Sequence, residues 1–222
     1  MAHNDIRGLY GMGWHAFRAV FRLYFGCRVF HPERVPLTGP VIIAANHASY
    51  IDPPLIGCGI DRMLFILARA SLFRFPIFGP LLRSWHAIPV DPKGGSSAGL
   101  KAILDRLERG GAVLVFPEGT RTSDGRLLPA RAGLGLAIIR SNAVVVPARV
   151  WGTHRAYGRH ITIPRPLPVA VKYGYPLAFD SERAQAREAS REASKAIYQR
   201  CSDRVMKAIA SLQPCRDKSE FP

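Results

Sequence analysis

The chain has 222 residues, 48% of them hydrophobic and 21% charged, which supplies the apolar material for one well-cored globular domain. Its 31 lysines and arginines against 16 acids give a net charge of +15, so the partners to expect are phosphates, anionic lipid surfaces or nucleic acid. The four cysteines, Cys27, Cys58, Cys201 and Cys215, form no CxxC pair and have no histidine at metal-ligand spacing; they read as free thiols of a reducing compartment, without a metal site.

No uncharged apolar run reaches the roughly 20 residues needed to cross a bilayer, and Met1 is not followed by a basic region and an unbroken apolar core. Neither a spanning helix nor a cleaved signal peptide is therefore expected. Instead Ile6, Tyr10, Trp14, Phe17, Phe21 and Tyr24 recur at three- and four-residue steps, interrupted by Arg7, Arg18, Arg22 and Arg28. The pattern predicts an amphipathic membrane-association segment over residues 1–30, a helix lying in the interface with its aromatic side in lipid and its arginines near lipid phosphates. Packing of that side on the domain core is the alternative.

Residues 31–180 alternate short apolar runs with helical segments. VIIAA at 41–45, MLFIL at 63–67, AIPV at 87–90, AVLVF at 112–116 and AVVVPARV at 143–150 read as buried strands, and the alternation predicts a single α/β domain, a mixed β-sheet flanked by helices. The clearest helix covers 97–109, with Leu100, Ile103, Leu104 and Leu107 on one stripe and Gly110-Gly111 ending it. Residues 180–212 predict a polar C-terminal helical region within 181–222, largely solvated, with a weak apolar stripe through Ala193, Ile197, Val205 and Ile209.

Two stretches carry chemistry. Asn46-His47-Ala48-Ser49-Tyr50-Ile51-Asp52 follows the first strand and precedes Pro53-Pro54, so Asp52 is placed to cap a helix that opens on proline. On one continuous helix, His47 and Asp52 would point to different faces, whereas a strand-turn-helix connection brings them together. A carboxylate on one imidazole nitrogen fixes the tautomer and supports the imidazolium formed when the other nitrogen takes a proton, as an alcohol attacking a thioester requires. Read alone, the spacing also describes a structural histidine bonded to a capping aspartate. The second stretch, Phe116-Pro117-Glu118-Gly119-Thr120-Arg121, ends a buried strand with a glycine, a hydroxyl and a guanidinium suited to phosphate oxygens; Glu118 would orient Arg121 or bond an acceptor hydroxyl. A polar turn with a local Glu-Arg pair is the plainer reading.

Together the two stretches resemble the lysophosphatidate and glycerol-phosphate acyltransferase family, whose signatures NHxxxxD and FPEGTR stand here complete, in order and about seventy residues apart. The resemblance extends through Ala87-Ile88-Pro89-Val90-Asp91 and Val146-Pro147-Ala148-Arg149-Val150, over roughly 35–152. It implies transfer of an acyl group from acyl-CoA or acyl-carrier protein, with no other cofactor, to the free hydroxyl of lysophosphatidate or a related lysophospholipid. It implies His47 and Asp52 as the catalytic pair, Asn46, Glu118, Gly119, Thr120 and Arg121 as substrate-binding residues, and residence at the cytoplasmic face of an anionic phospholipid membrane. Two departures bear on the acceptor. Asp91-Pro92-Lys93 stands where the family commonly has Asp-Arg, leaving Lys93 to supply the charge without arginine's planar fork, and Ala130-Arg131-Ala132-Gly133 keeps a cation at Arg131 without the usual aromatic. Direct attack needs no enzyme nucleophile, in keeping with the lack of a nucleophile elbow, and His86, His154 and His160 have no comparable partner pattern. Glycerol phosphate or another lysolipid is the alternative acceptor. A basic module without catalysis would leave both motifs unexplained, and no nucleic-acid motif is present.

Overall fold

The computed structural model describes residues 8–76, 78–90 and 95–214. Ile6, Arg7, Asp91, Pro92, Lys93 and Cys215 lie outside the described residues, and with them the expected substrate contact of Lys93. Strands β1 (Arg28–Phe30), β2 (Val41–Ala45), β3 (Leu64–Arg69), β4 (Ile88–Val90), β5 (Ala112–Val115), β6 (Val144–Trp151) and β7 (Ala170–Tyr173) form one sheet in the order β1-β7-β6-β2-β5-β3-β4. Every pairing is parallel except β6 with β7, so the sheet is mixed as expected. Strand β2 is central because all five of its side chains are apolar and all five are fully buried, the signature of a parallel strand covered on both faces. The short edge strand β1 and its neighbour β7 carry no strong apolar run and were not legible in the sequence.

Helices α1 (Gly8–Leu23) and α2 (Asp52–Cys58) pack together, followed by α3 (Phe78–Ser84), α4 (Gly95–Glu108), α5 (Gly133–Ile139), α6 (Thr153–Tyr157), α7 (Asp180–Glu188) and α8 (Arg191–Ser211). The aromatic stripe of α1 corrects the expectation of lipid burial. Trp14 and Phe21, with Phe25 beyond the helix, are buried in the domain core, and Phe17 meets Trp85 edge-on at 4.4 Å. The Trp14 indole N–H donates to the carbonyls of Ile60 (3.1 Å) and Gly57 (3.3 Å), which gives the one polar atom of that side chain a partner inside the protein.

The C-terminal region is likewise more than a solvated appendage. Helix α8 buries Ser194, Ile197, Cys201, Ser202, Val205 and Ile209 against α5 and β6, while Ala193 of the predicted stripe is exposed. Contact with α5 is close enough that a Cβ on Gly135 would overlap the carbonyl of Tyr198, and the Gly135 amide donates instead to the Ser202 hydroxyl at 2.8 Å. One apolar core runs from Trp14 to Ile209, so the boundaries drawn at 30 and 180 do not divide it.

Candidate active site

Register alone brings the two motifs together. Ala44 of β2 is paired in parallel with Val115 of β5, so residues three further along both chains emerge side by side at the C-terminal edge of the sheet, where open α/β sheets place their sites. Those residues are His47 and Glu118. The His47 amide donates to Glu118 Oε1 at 3.1 Å, and the His47 carbonyl accepts from the Thr122 amide at 2.9 Å, so the histidine's backbone is held on both sides by the second motif and the residue that follows it.

The imidazole is held as firmly. His47 Nδ1 lies 2.9 Å from Asp52 Oδ2, and the ring stacks on Phe116 with centroids 3.8 Å apart and planes at 11°. Asp52 is fully buried, and the same Oδ2 accepts the amides of Ala48 and Ser49, each at 2.6 Å. This corrects the expected capping role. Helix α2 begins at Asp52 itself, and Pro53 and Pro54 offer no N–H for the carboxylate to cap, so it turns back to the loop that precedes it. With an anionic acceptor at Nδ1, the neutral ring carries its proton there and presents Nε2 as the base, on a side chain 18% exposed.

Glu118 is 2% exposed and both its oxygens are engaged, Oε1 by His47 and Oε2 by the Leu128 amide at 3.3 Å. Burial pushes its carboxyl up to about 7; the two amides oppose that rise and the charge of Asp52 adds to it. Glu118 therefore orients the His47 peptide and makes no ion pair with Arg121. Asn46 is corrected in the same way. Its side chain is buried, accepts from the Val150 amide at 2.8 Å and donates to the Val150 carbonyl at 3.3 Å, so it ties the end of β2 to β6.

The cations assemble on the exposed side. The Arg121 guanidinium carbon stands 3.5 Å from the centre of the Tyr50 ring, and its Nη1 is buried without a hydrogen-bond partner. A planar cation held flat on an aromatic face with an unmatched donor is suited to a phosphate oxygen. Gly119 adopts φ +67°, and a Cβ there would stand 2.9 Å from Arg131 Cδ, so its role is to admit the Arg131 side chain. The Gly119 N–H closes a turn onto the Phe116 carbonyl at 3.0 Å. Thr120 is exposed beside it. Tyr50 and Phe116 are the site residues that motif reading missed. Both lie inside the two motifs, and an aromatic at each was the available signal.

The three described cysteines play no part in this arrangement: burial pushes the Cys27 and Cys58 thiols up to about 12 and that of Cys201 to about 11. His154 Nε2 lies 3.2 Å from the Ser123 carbonyl, and Thr122 and Asp124 close the same turn. That is a structural position, as its lack of a sequence partner implied.

A family model described as Acyltransferase matches residues 27–151, more than half of the chain. The chain belongs to the acyltransferase family. The match contains every residue of the arrangement just described, from His47 to Arg131. Acyltransferase relatives include a 1-acyl-sn-glycerol-3-phosphate acyltransferase of Cocos nucifera, 31% identical over 143 residues, which are 63% of this chain and 46% of that protein. Another, with the same name, is from Bacillus subtilis, 30% identical over 139 residues, 62% of this chain and 69% of that protein. The matched stretch thus spans about half the length of the plant relative and about two thirds of the bacterial one. The crystal structure of the 1-acyl-sn-glycerophosphate (LPA) acyltransferase PlsC from Thermotoga maritima superposes with a TM-score of 0.70 at 23% identity, covering 92% of this chain and 80% of that one. That likeness speaks for the shared fold.

Proposed function

We propose that the chain transfers an acyl group from a thioester, acyl-CoA or acyl-carrier protein, to the free hydroxyl of lysophosphatidate or a related lysophospholipid, in phospholipid biosynthesis at a membrane surface. The observation that carries this reading is the His47–Asp52 pair, with Nε2 left as the base beside the cations Arg121 and Arg131. In the proposed step Nε2 takes the acceptor hydroxyl proton as the oxygen attacks the thioester carbonyl carbon. The carbon–sulfur bond breaks, and the thiolate leaves with the proton from the imidazolium. Asp52 holds Nδ1 and stabilises the imidazolium, and no covalent enzyme intermediate is formed. Arg121, flat on Tyr50, and Arg131 hold the acceptor phosphate, with Thr120 at the rim.

The names of the matched relatives support lysophosphatidate as acceptor. Asp91-Pro92-Lys93, with proline where the family commonly has the arginine of Asp-Arg, favours a panel that also includes other lysophospholipids and glycerol phosphate. We assign the chain a peripheral or monotopic position at the cytoplasmic face of a membrane, in keeping with the lipid acceptor; among the described residues no helix is long and apolar enough to cross a membrane. The test is thiol release by the purified protein, with each acceptor and each thioester. His47→Ala should lower turnover by about two to four orders of magnitude with the fold intact. Near-normal turnover in the folded variant would remove His47 from the proton transfer.

A further inference from the structure

Helix α6 begins just past residue 151, where the family match ends, and it touches the loops of both motifs. One side of it is anchored in the domain: Thr153 and Ala156 are buried, and the Ala156 amide donates to the Gly152 carbonyl at 2.9 Å. His154 and Tyr157, also three residues apart, share the neighbouring side. His154 takes the second loop. Its Nε2 meets the Ser123 carbonyl at 3.2 Å, and Gly125 lies against its ring, where a Cβ would stand 3.2 Å from Nδ1. Tyr157 takes the first. Its carbonyl accepts the Ser49 hydroxyl, and its half-buried ring lies 5.7 Å from that of Tyr50, tilted at 47°. Ser49 is fully buried and its amide donates to Asp52 Oδ2 at 2.6 Å, so the residue bonded to the Tyr157 carbonyl also holds the carboxylate that orients His47.

Tyr50 needs such a neighbour. It is 54% exposed, so the core does not fix its ring, yet that ring is the surface on which the Arg121 guanidinium lies, with Nη1 buried and unmatched. An arginine side chain has many rotamers, and an exposed tyrosine is free to turn. Set against a second ring at a separation within the roughly 4.5–7 Å that aromatic pairs prefer, Tyr50 holds one orientation, and the guanidinium plane on it is aligned before a ligand arrives. The base is oriented separately, by Asp52 at Nδ1 and by Phe116 beneath the imidazole, and neither contact involves the Tyr157 side chain.

The geometry points to Tyr157 as a positioning residue for the acceptor: through the Tyr50 ring it sets the plane of Arg121 that receives the acceptor phosphate. The inference rests on the phosphate-bearing acceptor proposed above. Tyr157 thereby acts on acceptor binding, while proton transfer at His47 and use of the thioester are independent of its ring. Replacing its side chain leaves the carbonyl that Ser49 reaches, so the loop carrying Asp52 keeps that bond.

Thiol-release kinetics with a short-chain lysophosphatidate, beside calorimetric titration of glycerol 3-phosphate without donor, test this on the full chain. Tyr157→Leu should raise the acceptor KM and the glycerol 3-phosphate Kd about twofold to tenfold, the range that one aromatic pair contributes, with kcat and donor KM unchanged. Tyr157→Phe, which keeps the ring and loses the hydroxyl, should restore both values to those of the parent. In a double-mutant cycle the effect of Tyr157→Leu should vanish in a Tyr50→Leu background, as it must for a residue that acts through that ring. If the leucine variant fails to fold, Tyr157→Met, which keeps apolar volume without the ring, is measured in its place. An unchanged acceptor KM in the folded variant, a phenylalanine variant as weak as the leucine one, or effects that add to those of Tyr50→Leu each overturn the inference. Equal losses in kcat and donor KM do so too, since they would make Tyr157 a general support of the loops. Glycerol 3-phosphate binding that weakens as stated, in a protein whose parent form transfers to no acceptor, upholds the role of Tyr157 and removes the acyl-transfer reading alone.

Discussion

Replacing Glu118 by glutamine keeps the shape of a buried side chain and removes its charge. In the parent, burial raises the carboxyl from an ordinary value of 4.5 to about 7, so the native state favours the protonated acid. The stability this group contributes is fully present below about pH 4.5 and is lost as pH rises through about 7. Between pH 5 and pH 8 the parent should therefore lose about 2–3 kcal/mol relative to a chain with a neutral residue at this position. Glutamine brings a second effect with no pH dependence. Its single oxygen accepts one of the two amides, from His47 and Leu128, and its NH2 group faces the other, at a cost of about 1–3 kcal/mol. Glu118→Gln should then be the less stable protein at pH 5, with the gap closing or reversing at pH 8. Urea titrations of both proteins at the two pH values measure that gap. A gap that stays constant would refute a buried carboxyl titrating near neutrality. The same substitution loosens the peptide that carries the base, so turnover should fall about tenfold to a hundredfold where the His47 amide loses its acceptor.

Tyr50→Leu removes the face on which Arg121 lies, and should raise the acceptor KM roughly threefold to tenfold with little change in the donor KM. Arg121→Lys keeps the charge and loses both the stacked plane and the fork, so its effect on acceptor KM should be the larger of the two; equal effects on donor and acceptor would remove Arg121 from phosphate binding. Iodoacetamide at pH 8 should leave Cys27, Cys58 and Cys201 unlabelled in the native protein and leave transfer undiminished, as peptide mapping and the thiol-release assay would report. Rapid labelling of Cys27 would place its thiol in the ordinary range and in contact with solvent.

The sequence by itself determined the sheet's central strands and the two motifs at their ends. Five fully apolar residues from Val41 to Ala45 can be satisfied only by cover on both faces, and a motif that directly follows such a strand must emerge at the sheet's edge. His47 and Asp52 were legible for the same local reason, a turn between strand and helix. What each polar side chain does was decided by tertiary structure. Asn46 and Glu118 look like substrate ligands in a motif, but the register of β2 with β6 and β5 sets them against the Val150 and His47 backbones, whose buried polar groups need partners. The direction of α1 was decided there as well. Its apolar residues fall on two opposite faces, and a helical period describes both without saying which one the domain takes. Trp14 settles that choice, because an indole N–H that reaches the carbonyls of Gly57 and Ile60 is satisfied in the protein and would go unmatched among acyl chains.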